Sequence, residues 1–73
     1  MSDEKQRLCG TVEHITFRNE QNGWTVLDLN DGQELHKVVG ILPLCCVGDT
    51  VRLSGHFGVH ASFGPQFEAE ACE

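Results

Sequence analysis

The sequence predicts an all-β fold, a small closed barrel, and three observations carry that prediction. From Val51 the apolar or small residues occupy every second position (Val51, Leu53, Gly55, Phe57, Val59), the period of a strand with one buried face, while Arg52, Ser54 and His56 point outward. Five strand-like runs follow one another between turn-forming residues, with no helical segment and no internal repeat. Gly55, inside the fourth run, permits the sharp coiling that a small barrel needs.

The first run, Leu8 to Arg18, is rich in Val, Ile, Thr and Phe. Its inward parity changes between Val12 and the pair Ile15 and Phe17, which predicts a β-bulge near Glu13 and His14. Asn19 to Gly23 reads as a hairpin loop, with Asn22-Gly23 suited to positive φ. Trp24 to Asn30 is the second strand, and Asp31-Gly32 is a tight hairpin signal leading to the third, Gln33 to Ile41. Leu42 to Val47 is short and apolar, so it is expected to plug one barrel end as an irregular turn or a single helical turn. Gly48-Asp49 opens the fourth strand, Thr50 to His60, and Gly64-Pro65 hands over to the fifth, Gln66 to about Cys72. That last strand carries Phe67, Ala69 and Ala71 on one face and Glu68 and Glu70 on the other. Phe17, Phe57 and Phe67 fall on inward faces and are assigned to core packing. Five strands, a coiled first strand and a linker between the third and fourth fit a five-stranded oligonucleotide/oligosaccharide-binding (OB) barrel, with an SH3-like barrel as the alternative. Residues 1–7 are expected to form a flexible N-terminal tail and residues 8–73 a single domain.

At 73 residues the chain is near the lower limit at which an apolar core holds a fold without staples, so modest stability is expected. Its net charge is −6, with five basic residues (Lys5, Arg7, Arg18, Lys37, Arg52) against eleven acidic ones. That balance argues against a strong autonomous nucleic-acid binder, because neutralisation of phosphates by Lys and Arg supplies most non-specific affinity. No apolar run approaches the roughly 18 residues of a membrane span and the start is too polar for a signal peptide, so a cytoplasmic location is expected, with no membrane partner. In that compartment the four cysteines are expected to be reduced thiols. Cys45 and Cys46 are adjacent and no Cys-x-x-Cys occurs, which argues against a metal site. A Walker-type glycine loop, a nucleophile elbow and a His-Glu-x-x-His pattern are all missing, so this chain is read as having no catalytic residues and no cofactor of its own.

OB barrels hold ligands on the second and third strands and on the loops between strands one and two and between four and five. Those places hold Arg18, Asn19, Asn22, Trp24, Lys37, His60 and Phe63, the candidate DNA-binding residues. Trp24, after a hairpin glycine, and Phe63, in a loop, are the rings on which bases would stack. With two phosphate contacts from Arg18 and Lys37, the affinity would be weak and its salt dependence shallow.

Gly10-Thr11-Val12-Glu13-His14-Ile15-Thr16-Phe17-Arg18-Asn19-Glu20-Gln21-Asn22-Gly23-Trp24-Thr25-Val26-Leu27 resembles the N-terminal OB domain of bacterial RecD-like ATP-dependent DNA helicases, relatives of the exodeoxyribonuclease V alpha subunit. The Gly48-Asp49 strand opening, Leu53-Ser54-Gly55, and His60 to Phe67 with Gly64 look like that family's pattern in the same order, so the likeness spans Leu8 to about Cys72. It implies a fragment: an accessory domain of a five-prime to three-prime helicase of recombination and repair, whose ATP and magnesium belong to helicase domains outside this sequence. The partners it implies are single-stranded DNA, weakly held, and the remainder of the helicase chain. The family often has Lys near position 62, where this chain has Ser62, a departure that lowers expected DNA affinity. The alternative is a protein-docking module that packs on the helicase body or a partner with no direct DNA binding.

Overall fold

The computed structural model describes residues 5–62 and 64–72. Its five strands are β1 (Gln6–Arg18), β2 (Trp24–Asn30), β3 (Leu35–Ile41), β4 (Thr50–His60) and β5 (Gly64–Cys72). They close into a barrel in the order β1-β2-β3-β5-β4, with β4 returning to β1. All pairs are antiparallel except β3 with β5, which run parallel over Val38–Gly40 and Phe67–Ala69. Of the two barrels the sequence allowed, this is the OB arrangement. Among the described residues, no helix is long and apolar enough to cross a membrane.

β1 serves two neighbours because it bends. Val12 pairs with Leu29 and His14 with Asp28, leaving Glu13 as the extra residue of the expected bulge. A second irregularity follows: Ile15 pairs with Leu27 and Phe17 with Val26, so Thr16 is skipped. On β2 the buried set is Thr25, Leu27 and Leu29, so Val26 faces outward and brings Phe17 with it. Phe17, expected in the core, is therefore 52% exposed.

The core is built from Leu8, Val12, Leu27, Leu29, Val38, Leu42, Leu53, Phe67 and Ala69, with Ile15, Cys45, Val51 and Cys72 packed around it. The linker is irregular, and of its residues Leu42 and Cys45 reach the core while Leu44 and Val47 stay exposed. Two glycines admit close strand contact: a Cβ at Gly55 would strike the carbonyl of Glu68, and one at Gly40 the carbonyl of Ala69.

Several boundaries and faces differ from expectation. Gln6 and Arg7, assigned to the tail, pair with Gly55 and Ser54. β3 starts at Leu35 because Asp31 Oδ1 accepts the N–H groups of Gln33 (2.8 Å) and Glu34 (2.9 Å), which keeps the turn going for two further residues. β5 starts at Gly64, paired with His60. Phe57 is half exposed because the β1 ladder stops at Gln6 and Gly55, so β4 runs on past the wall that would cover it. Its ring packs edge-on to Phe67, with centroids 4.8 Å apart. Ala71 is exposed because β5 has passed the end of its ladder with β3, and Ser54 is buried because it is flanked by both Arg7 and Ala71.

Candidate functional site

Strict alternation along β2 sends Trp24, Val26 and Asp28 to the outer face, opposite Ile41, Val39 and Lys37 of β3. The skipped residue of β1 adds Phe17 beside Val26, and the parallel ladder adds Glu68 beside Val39. The result is a groove of about 720 Å³ with Phe17, Trp24, Val26 and Val39 among its apolar lining, Lys37 and His60 within it, and Glu68 and Glu70 along β5. Trp24 is 41% exposed, so its ring is a wall of the groove and available to a ligand.

Three of the seven sequence candidates, Trp24, Lys37 and His60, meet in this groove. Arg18 does not line it. Its Nη1 donates to Thr25 Oγ1 (2.8 Å) and to the carbonyls of Leu42 (3.1 Å) and Pro43 (3.3 Å). Its Nε is shielded from solvent, 3.5 Å from Glu20 Oε2 and without a hydrogen bond, and only 16% of the side chain is exposed. Arg18 ties the linker to the hairpin. Asn19 and Asn22 build the loop: Asn19 Oδ1 accepts the Gln21 N–H (2.8 Å) and Asn22 Oδ1 accepts the Trp24 N–H (2.9 Å). Phe63 lies outside the described residues. The groove residues that the candidate set lacked are Phe17, Val26, Val39, Glu68 and Glu70. The outward parity of Val26, Glu68 and Glu70 was readable in the alternation, but the parallel β3–β5 pairing that sets β5 beside β3 was not.

Charge in the groove is mixed and leans acidic. Glu70 receives Lys5 Nζ at 3.1 Å and His56 Nδ1 at 2.9 Å, and the Lys5 hydrogen bond is the main reason its carboxyl titrates below the usual range. The Glu68 carboxylate has no ion-pair or hydrogen-bond partner among the described residues. Gly58 leaves room for that carboxylate, since a Cβ there would lie 2.9 Å from Glu68 Oε2. His60 Nδ1 accepts the Ser62 N–H at 3.0 Å.

Away from the groove, Asp31, Glu34 and His36 bring possible ligand atoms within 4.8 Å of one another. The Asp31 oxygens are already engaged, Oδ1 by the turn N–H groups and Oδ2 by His36 Nε2 at 2.7 Å, so this cluster reads as turn chemistry. No disulfide joins the four cysteines, and burial pushes the Cys45 thiol up, away from the reactive thiolate. The groove can therefore receive flat or apolar groups and one or two charges.

A family model described as ATP-dependent DNA helicase YrrC, OB-fold domain, matches residues 5–73. The comparison with curated proteins finds no match.

Proposed function

We propose, from the premise that this chain belongs to the OB-fold domain family of the ATP-dependent DNA helicase YrrC, that it is an accessory, non-catalytic module of a larger helicase and acts by docking through the β2–β3 groove. In this reading the parent unwinds DNA from five-prime to three-prime in cytoplasmic recombination and repair, as a RecD-like relative of the exodeoxyribonuclease V alpha subunit. ATP and magnesium then act in its motor domains.

The observation that carries docking is the distribution of positive charge. Of the five basic residues, Arg18 is spent on the linker, Lys5 on Glu70, and Arg7 and Arg52 lie on the β1–β4 ladder. Among the described residues, Lys37 is left as the one lysine or arginine lining the groove, facing a flank with two carboxylates. A single phosphate contact gives little affinity, whereas an apolar floor suits a protein partner. Single-stranded DNA is the second reading, favoured by the half-exposed rings of Phe17 and Trp24 near Lys37, a set that stacks bases.

Fluorescence anisotropy of a labelled single-stranded oligonucleotide, titrated with the domain at low and moderate salt, separates the two. Docking expects no saturation at about 100 μM protein, the regime of weak non-specific binding. Saturable binding that weakens with salt and disappears in Trp24→Ala replaces docking with DNA contact.

A further inference from the structure

We propose that the groove takes a polypeptide segment that presents an apolar side chain flanked by lysine or arginine. This rests on the docking reading above and adds the chemistry of the partner.

The apolar half of the assignment comes from the floor. Phe17 and Trp24 are large, rigid rings left half exposed in the lining of a concave face, and Ile41, paired with Trp24, extends that surface at 63% exposure. Rings in such a position bury a large area at little cost in side-chain entropy when a partner covers them.

The basic half comes from β5. Glu68 overlooks the floor with no cationic partner among the described residues. Glu70, next on the same face, already holds an ammonium group, Lys5 Nζ at 3.1 Å, so this flank has the geometry to seat a lysine. An acidic segment would set like charges against Glu68 within a chain of net charge −6. A basic one gains the pairing that Glu68 lacks, against repulsion from Lys37 and from the Lys5 ammonium held on Glu70. Charge at such an edge sets partner choice and encounter rate more than affinity, so selectivity is the property to measure.

Trp24 is the single tryptophan, and its emission reports occupancy of the groove without a label. The probes are synthetic nonapeptides with a Leu-Phe centre flanked by two lysines, two serines or two glutamates, plus a lysine-flanked peptide whose centre is serine. The lysine-flanked apolar peptide is expected to shift Trp24 emission saturably. Serine flanks should weaken it about threefold and glutamate flanks about tenfold at low salt, the scale of exposed ion pairs. The spread should contract at about 0.5 M NaCl. Glu68→Gln, a change at an exposed position checked by circular dichroism, should erase most of the preference for lysine, and Glu68→Lys should reverse it. Equal binding of lysine- and glutamate-flanked peptides overturns the charge assignment alone. Equal binding of the serine-centred peptide overturns the apolar anchor, and no saturable shift with any peptide up to about 1 mM, the weak limit of specific association, overturns the proposal. Oligothymidine binding more tightly than every peptide overturns the docking reading on which it rests.

Discussion

Arg18 stands at the end of β1 where a ligand-binding arginine would stand, yet its guanidinium holds the chain together. Nη1 bridges Thr25 Oγ1 and the carbonyls of Leu42 and Pro43, joining the β1–β2 hairpin to the linker. Arg18→Ala should therefore cost about 2 kcal/mol in urea unfolding, because charged hydrogen bonds are lost and a cavity opens, with little effect on ligand binding. Arg18→Lys should recover only part, since an ammonium lacks the planar fork; a wild-type midpoint in Arg18→Ala would show that water replaces these bonds freely. The sequence placed Arg18 correctly on its strand, but its partners in the linker are not encoded by any local pattern. Asp31 gives a second expectation at this scale. The N–H of Glu34, then His36 and the N–H of Gln33, hold its carboxyl down at about 2, against 3.8 for the free side chain. A depressed carboxyl favours the folded state fully above the free value, and that contribution fades as the pH falls through the folded value. Asp31→Asn should thus be less stable than the parent at neutral pH, and the gap between their urea midpoints should close between pH 3.8 and about 2. A gap independent of pH would mean that the turn depends on shape and not on the charge.

At the scale of strands, alternation was a sound guide wherever both neighbours were in place and failed where the barrel wall ended. On β2 the inward set Thr25, Leu27 and Leu29 is as the period requires, and the first bulge of β1 could be read from the parity change around Glu13. The second register shift, at Thr16, could not, because Phe17 continues the apolar pattern while the backbone turns it outward. That shift moves a ring from the expected core to the groove, so the largest error in reading the fold is also the largest gap in reading the site. Phe57 and Ala71 share a different cause: each lies on a strand that outruns one of its neighbours. The β4–β5 and β3–β5 contacts depend on glycine. An added Cβ at Gly55 meets the backbone carbonyl of Glu68, and at Gly40 that of Ala69, and a carbonyl in a ladder cannot swing aside as a side chain can. Gly55→Ala and Gly40→Ala should each destabilise by about 3 kcal/mol or more, enough to leave much of so short a chain unfolded in thermal melts. A cooperative, wild-type melt in either variant would show that β5 can move off its neighbours more easily than these contacts imply.

For the whole molecule the governing quantity is charge in a small volume. The chain carries a net charge of −6, and the molecule has extents of 35 × 29 × 26 Å. At about 10 mM salt the screening length is about 30 Å, so carboxylates on opposite faces still repel; at about 150 mM it is about 8 Å and repulsion is confined to neighbours. Among the described residues, the lysine and arginine pairs that salt also weakens are Lys5 with Glu70 and Arg18 with Glu20, each exposed on at least one side, and such pairs add little. Relief of repulsion should win. Raising NaCl from about 10 to about 150 mM should lift the urea midpoint, by the equivalent of about 0.5 kcal/mol, while slowing any approach of a basic peptide to the groove. The two effects share one origin, an acidic surface that costs stability and selects a cationic partner, so they should appear together. A midpoint that falls with salt would mean that local pairs outweigh the net field. The acidic groove flank would then be a set of internal contacts, and the case for a lysine- or arginine-bearing partner would rest on Glu68 alone.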